Sequence, residues 1–273
     1  MDKNKKKRKS TPPSSLHHYT SLGTVAALFD NAINQQNDNP RVFAFRASNA
    51  LCMNDKMEGM LIVDKFLTDS EIKKQYQNQL EKIVKDKGEI YSISFCASNQ
   101  ENMNSGNIPM WDMYGDGGAG AILSFDYKKL EQHASSNSML LSQCKYWKTN
   151  EVQSYITDVN KDIRQMNEEE RYAALSDFRK EAFIVKDWHW RYEDEWRILF
   201  KSKEEKYITN KYGIASYTEV GIPINCLNAI ILGPLVDFDM CEKVLNIAIS
   251  RLKEADSTIS QDIKIKPSKL QMR

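Results

Sequence analysis

The chain has no apolar run approaching the roughly 20 residues that a membrane-spanning helix requires. Its basic N-terminus is followed by Ser-Thr-Pro-Pro-Ser-Ser (residues 10–15) instead of the apolar segment of a secretory signal. From these two absences we expect a cytoplasmic protein that makes no contact with a membrane. The 273 residues, 41% of them hydrophobic, suffice for one large domain with its own core.

Cysteine and histidine are few and scattered. The five cysteines include no Cys-x-x-Cys pair, and their odd number argues against a disulfide framework or a zinc cluster. The four histidines show no His-Glu-x-x-His spacing, which argues against a metal hydrolase. We therefore expect reduced thiols, most of them buried, and no metal ion.

Charge is unevenly distributed although the net charge is only +1. Lysine and arginine dominate the first nine residues, where Asp2 is the single acid. We expect residues 1–15 to form a disordered basic tail, either a contact for nucleic acid or another anionic surface, or a solubilising arm without a partner. Residues 16–273 are then expected to form a single domain.

Apolar periodicity predicts helices and strands without a regular alternation and without internal repeats, which is typical of an α+β fold. Expected strands include residues 16–20, 42–47, 91–96, 191–200, 228–234 and 262–266. Expected helices begin at Thr20 or Ser21, near residue 55, at Thr68 or Asp69 and at residue 237, with two more in 151–184 divided near Asn167.

The segment from Trp111 to Gly120 combines two aromatic residues, two carboxylates and four glycines before an apolar strand. Glycine permits close approach of a ligand to the backbone, and the rings of Trp111 and Tyr114 offer flat faces for a base or a nicotinamide. The competing interpretation is a tight hairpin whose aromatic side chains belong to the core.

Carboxylates are rare inside apolar strands, so Glu193, Glu195 and Arg197 attract attention in the expected strand 191–200. Their spacing places all three on one face, where a fixed carboxylate would stabilise developing positive charge at a sugar carbon. The alternative is an internal salt bridge on a solvated face. His18, near the end of the first expected strand, is either a hydrogen-bond donor to a ligand or a structural histidine.

Taken together, these motifs resemble the DUF2971 family of bacterial proteins. The matching pieces are His18-Tyr19-Thr20-Ser21, Asn54-Asp55-x-x-Glu58, Ser94-Phe95, Trp111-x-x-Tyr114-Gly115-Asp116-x-Gly118-x-Gly120, Ala121–Asp126, Glu193-x-Glu195-Trp196-Arg197 and Ile231-Leu232-Gly233-Pro234. They extend over residues 16 to about 240. Lys56 stands where the family usually has proline, which weakens any role for Glu58.

The family is in turn similar to ADP-ribosyltransferase-like folds of the His-Tyr-Glu kind, which implies a split mixed or antiparallel β-sheet core with flanking helices. That resemblance implies catalytic roles for His18, Tyr114 and Glu195, with NAD as the substrate and no metal. It further implies NAD contacts from His18, Tyr19, Thr20, Arg46, Trp111 and Tyr114, and substrate-positioning roles for Glu193 and Arg197.

The expected function is therefore an NAD-dependent ADP-ribosyltransferase or NAD glycohydrolase, a toxin or phage-defence effector. Its acceptor is a protein, a nucleic acid or water. The alternative is a non-catalytic nucleotide sensor or an interaction subunit in a bacterial defence or toxin–antitoxin complex. Arg197 has a second interpretation, in which it only neutralises Glu195.

Overall fold

A computed structural model describes residues 12–36, 40–52, 76–82, 85, 88–98, 105–210 and 213–271. The expected helix near 55–66, the start of the helix at Thr68 or Asp69 and the motif Asn54-Asp55-x-x-Glu58 lie outside these residues. So does most of the basic tail. Residues 76–82 are helical, as expected. In the described part of the chain, no helix is both long and apolar enough to cross a membrane.

Within the described residues, ten strands form one mixed sheet, and two short strands pair separately. The twelve strands are β1 (Ser15–Thr20), β2 (Val42–Asn49), β3 (Glu89–Ala97), β4 (Ala121–Asp126), β5 (Leu140–Gln143), β6 (Lys145–Trp147), β7 (Val185–Asp187), β8 (Glu195–Ser202), β9 (Lys206–Asn210), β10 (Gly213–Pro223), β11 (Leu227–Leu232) and β12 (Lys264–Pro267). The order β12-β11-β4-β1-β3-β2-β10-β9 describes the main sheet, to which β8 and β5 add through β3. Only β11 and β12 are parallel within it, while β6 and β7 form the small parallel pair.

Strand β3 is the point at which the sheet divides. Strand β8 pairs with β3 along the whole of Glu89–Cys96 and so occupies one edge. Strands β1 and β2 share the other edge: β1 pairs only with residues 96 and 97, and β2 only with residues 91 and 92. Residues 93–95 therefore have no ladder partner on that edge, and a gap opens between β1 and β2.

The helices cover both faces of the sheet. Besides the helical residues 76–82, the described part of the chain contains α1 (Leu22–Ile33), α2 (Ile108–Tyr114), α3 (Tyr127–Ser136), α4 (Thr149–Gln165), α5 (Glu168–Ala182) and α6 (Phe238–Ala255). Apolar residues of α1, α3 and α6 pack on one face with Leu16, Phe45 and Phe125. On the opposite face, α2 packs its Met110 and Trp111 against Tyr19 and Ile122. A separate apolar cluster joins α4 and α5 to β7.

Capping residues explain several helix boundaries. The Ser21 side chain accepts a hydrogen bond from the Thr24 amide and begins α1. Asn167 caps α5 with a reciprocal bond between its backbone amide and Glu170, which confirms the expected division of residues 151–184. The α+β class is likewise confirmed, as a mixed sheet with several helices.

Some local expectations were wrong. Residues 188–193 form a 3-10 helix, and Asp194 adopts left-handed backbone angles (φ 41°), so β8 begins only at Glu195. Helical spacing predicts that Ala26 of α1 is buried, but it is exposed, and Leu28 and Ala32 are buried instead. The same spacing predicts Met240 and Val244 as core residues of α6, but both are exposed, and the buried face is Leu245, Ile249 and Leu252.

Candidate functional site

A cavity of about 390 Å³ lies where the sheet divides, within the range typical of small-molecule sites. Strands β1, β2, β3 and β10 contribute to its lining, as do α2, β7, β9 and the start of β8. Six of the nine expected site residues line it: His18, Tyr19, Arg46, Tyr114, Glu193 and Glu195. Side chains from remote parts of the sequence thus meet around one space because β1 and β2 separate there.

His18 occupies the gap between β1 and β2. Its ring contacts Phe45 of β2 and Phe95 of β3, with ring centroids 5.1 and 5.7 Å apart. Its Nδ1 lies 2.9 Å from the carbonyl oxygen of Ser94, one of the β3 residues without a ladder partner on that edge. Because a carbonyl only accepts, Nδ1 carries the proton and donates this bond.

That bond fixes what His18 can offer to a ligand. Burial lowers the pKa of His18, although the bond to Ser94 opposes the shift, so the ring is neutral. With the proton on Nδ1, Nε2 can only accept. The sequence interpretation of His18 as a donor to a ligand is therefore wrong for this tautomer, and a ligand hydroxyl or N–H suits Nε2 where a phosphate does not.

Glu195 is the first residue of β8, and its side chain is buried, with 4% of the residue exposed. Its Oε1 accepts from Nε of Arg197 at 2.8 Å, and its Oε2 accepts from Nη2 of Arg197 at 2.9 Å and from Nζ of Lys186 at 2.8 Å. Burial alone would raise the pKa of Glu195, but Arg197 and Lys186 lower it to about 2. The carboxylate is ionised at neutral pH and cannot serve as a proton donor.

Lys186 joins the two glutamates, although sequence reasoning missed it. Its ammonium group pairs with Glu193 as well as with Glu195, and all three side chains are buried. Glu193 reaches this position from the 3-10 helix that precedes β8, and its other oxygen accepts from the Tyr114 hydroxyl at 3.3 Å. The signal was a lysine directly after the apolar run Phe183-Ile184-Val185, because a lysine that is buried with such a run needs partners for its charge.

Arg197 confirms the alternative given for it from the sequence. It is fully buried, binds both oxygens of Glu195 and donates from Nη1 to the Phe183 carbonyl at 2.5 Å. It does not line the cavity. A substrate-positioning role by direct contact is therefore excluded by burial, and Arg197 orients Glu195.

Two expected ligand contacts, Trp111 and Thr20, do not line the cavity. Trp111 has no exposed surface, donates its indole N–H to the Ser105 carbonyl at 2.8 Å and packs edge-on against Tyr19. It belongs to the core, as the hairpin interpretation held, although the segment forms a helix and not a hairpin. Thr20 is also buried, at the end of β1.

Tyr114, at the end of α2, is 36% exposed and lines the cavity. Tyr19 also lines it, but its hydroxyl accepts from the Asn107 amide and its ring packs on Trp111. Arg46 is exposed on β2 and lies over the Tyr217 ring, 5.3 Å from the ring centroid. Tyr114 and Arg46 therefore offer a ring face and a cation to a ligand.

Within the described residues, no group of three or more histidine, cysteine, aspartate or glutamate side chains is arranged to hold a metal ion. Cys96 lies between His17 and Glu195 across three strands. Burial raises the pKa of the Cys96 thiol well above its ordinary value, and Glu195 and Glu193 raise it further. Because the thiolate is the nucleophilic form, Cys96 is a poor nucleophile here.

Comparison with known proteins finds a family model that matches the stretch with Tyr114, Lys186 and the two glutamates of this site. Residues 110–198 match DUF2971, described as a protein of unknown function. The resemblance expected from the motifs is thereby confirmed over α2 to the first half of β8, including Tyr114, Glu193 and Glu195. No curated protein and no solved structure matches the chain.

Proposed function

We propose that the cavity binds NAD and that the protein cleaves its nicotinamide glycosidic bond, transferring ADP-ribose to a protein, a nucleic acid or water. The observation that carries the proposal is that His18, Tyr114 and Glu195, from three remote segments, line one cavity at the division of the sheet. The resemblance of DUF2971 to ADP-ribosyltransferase-like folds of the His-Tyr-Glu kind supports the same reaction by analogy alone.

Glu195 would act on the nicotinamide ribose. A carboxylate offers about four acceptor positions, and three of them are taken by Arg197 and Lys186, which leaves one on Oε1. A ribose hydroxyl would donate to that position. As the C–N bond breaks, nicotinamide leaves with the electron pair, and the ionised Glu195 stabilises the positive charge that develops on the sugar. The acceptor oxygen or nitrogen then forms the new bond to the same sugar carbon and releases its proton to water.

The other lining residues would hold the remainder of the molecule. Nε2 of His18 would accept from a ribose hydroxyl, and the exposed face of Tyr114 would stack on nicotinamide. Arg46, whose guanidinium group is at the surface of the cavity, would bind the pyrophosphate with paired donors. Glu193, held beside Tyr114 and Lys186, would face the acceptor.

The second candidate is a nucleotide sensor, or an interaction subunit of a defence complex, that binds without turnover. The observation that favours it is the pairing of Glu195 with Lys186 and Arg197, because two cations weaken the stabilisation that this carboxylate gives to positive charge on a sugar. A role as a toxin or phage-defence effector in the cytoplasm belongs to the proposal of NAD cleavage, and it follows from the family resemblance alone.

Replacing Glu195 alone makes a poor test. The four buried groups Lys186, Glu193, Glu195 and Arg197 are balanced, and a neutral glutamine at 195 would leave one cation uncompensated. Breaking a buried pair in this way costs about 3–5 kcal/mol, so lost activity would be confounded with lost structure.

Two charge-balanced double variants separate these effects. Lys186→Gln combined with Glu195→Gln leaves one acid, Glu193, and one base, Arg197, whereas Lys186→Gln combined with Glu193→Gln leaves the ion pair of Glu195 and Arg197. Under the enzyme proposal, the first double variant releases nicotinamide from NAD at least about a hundredfold more slowly than the wild type, which is the usual effect of removing one fixed electrostatic contact to the transition state. The second keeps measurable release to water. Equal release from both doubles would remove Glu195 from the reaction. No release from the wild type with NAD bound would favour the sensor.

A further inference from the structure

Two polar side chains of the cavity lining have atoms without a hydrogen-bond partner. His17 is 1% exposed and Ser92 is 4% exposed, and no described residue lies within hydrogen-bond distance of His17 Nε2 or Ser92 Oγ. Leaving such an atom unsatisfied costs about 1–3 kcal/mol, so each buried orphan calls for an explanation.

The two adjacent histidines differ in their hydrogen bonding. His18 is hydrogen-bonded to the Ser94 carbonyl, whereas His17, next to it on the same strand, makes no such contact. Successive side chains of a strand point to opposite faces, so His17 lies on the face of its partner Cys96. Cys96 in turn pairs with Glu195, which places His17, Cys96 and Glu195 in one row across the sheet.

Ser92 lies on the same face of β3, four residues before Cys96. At about 3.3 Å per residue the two orphan positions are separated by roughly 13 Å along the strand. His17 thus marks the end of the cavity that holds Glu195, and Ser92 marks the distal end, beside Ser48 of β2.

We propose that His17 and Ser92 are two further ligand contacts, each hydrogen-bonded to an uncharged polar group such as a hydroxyl or a carboxamide, at opposite ends of an elongated ligand. Nε2 of His17 has no partner among the described residues, and hydroxyls and carboxamides both donate and accept, so they suit this nitrogen in either tautomer. Resting on the proposed function, the inference assigns His17 to the nicotinamide nucleoside of NAD and Ser92 to its adenosine.

Burial also lowers the pKa of His17 to about 4, so its ring is neutral at physiological pH. A phosphate would favour the charged imidazolium, which this environment disfavours. The charged part of the ligand is therefore expected elsewhere, at Arg46, while His17 and Ser92 take its neutral parts.

The first test needs no ligand. If His17 and Ser92 are unsatisfied in the free protein, the variants His17→Leu and Ser92→Ala melt at the wild-type temperature or above it. The matched control His18→Leu removes the donor to the Ser94 carbonyl and melts several degrees lower. A fall for His17→Leu and Ser92→Ala as large as that of His18→Leu would overturn the inference.

The second test measures binding by calorimetry with NAD, nicotinamide mononucleotide and AMP. His17→Leu is expected to weaken NAD and nicotinamide mononucleotide about tenfold and to leave AMP unchanged, while Ser92→Ala weakens NAD and AMP and leaves the mononucleotide unchanged. Wild-type affinity of both variants for NAD would overturn the inference and leave the proposed function standing. A wild-type protein that binds none of the three would overturn the proposed function, and the melting data alone would then decide whether His17 and Ser92 are unsatisfied.

Discussion

At the scale of single residues, two aromatic side chains three positions apart have opposite surroundings. Trp111 is enclosed by Tyr19 and bonded to Ser105, whereas more than a third of Tyr114 is exposed at the cavity. Sequence spacing treated them as an equivalent pair of flat faces. Only the packing of α2 on β1 decides which ring is available to a ligand.

Substituting each ring by alanine separates core from site. Trp111→Ala removes a fully buried side chain and should cost about 3–5 kcal/mol of the free energy of unfolding. Tyr114→Ala should cost about 1 kcal/mol or less, because much of its surface is already in water, but should weaken NAD binding at least tenfold. Urea unfolding and an NAD titration measure both. A large loss of stability in Tyr114→Ala with unchanged affinity would place that ring in the core.

At the scale of elements, two of the glycines between Trp111 and Gly120, Gly118 and Gly120, lie close to the backbone of other segments. A Cβ on Gly120 would lie 2.2 Å from the Thr20 carbonyl oxygen, and a Cβ on Gly233 would lie 2.2 Å from the Gly118 carbonyl oxygen. The Gly233 amide donates to the Gly120 carbonyl at 2.9 Å. These contacts fix the turn before β4 against the turn after β11, which supports the site only indirectly.

Alanine at two of these glycines should give very different results. Gly120→Ala drives a methyl group into backbone atoms and should cost about 3 kcal/mol or more. Gly117→Ala meets nothing within 4 Å and bears only the strain of its positive φ of 62°, about 1 kcal/mol. Thermal unfolding of both variants checks this, and similar losses would mean that conformation, not close packing, selects glycine here.

The elements best predicted were those with strong local signals. Ser21 and Asn167 are capping residues before helical runs, and both caps are observed. The strand expected to begin at residue 191 was wrong in its first four residues, because their alternation of charged and aromatic residues resembles that of a strand. In the structure, a 3-10 helix and the left-handed Asp194 place Glu193 near Glu195, where both bind Lys186. Short strands such as β6 and β7 gave no signal, since three residues hold too little periodicity.

At the scale of the whole molecule, the convergence of site residues depends on pairing that no local pattern encodes. The gap that brings His18 to Ser94 exists because β1 and β2 take different parts of one β3 edge. The sequence indicated six of the lining residues by residue type, including Glu195 and Tyr114. It missed Lys186, His17 and Ser92, whose importance follows from what surrounds them when buried.

Burial of two adjacent histidines should make the whole fold sensitive to mild acid. The pKa of His17 is lowered to about 4 and that of His18 is also lowered, while an unfolded histidine titrates near 6.5. The unfolded chain therefore binds more protons between pH 6.5 and 4. The stability contributed by the neutral rings is complete above about pH 6.5 and is lost as pH falls toward 4, by about 1 kcal/mol per pH unit for His17.

Urea unfolding at several pH values from 7.5 to 4.5 measures this slope. His17→Leu removes one of the two groups, so its free energy of unfolding should fall less steeply with acidification, and its advantage over the wild type should grow as pH falls. Glu195, with a pKa lowered to about 2, loses its contribution only below about pH 4.5 and does not obscure that window. Parallel slopes for the two proteins would mean that folding does not lower the pKa of His17. Below about pH 6.5 the folded protein would then carry a charged imidazolium, able to bind phosphate, two strands from Glu195.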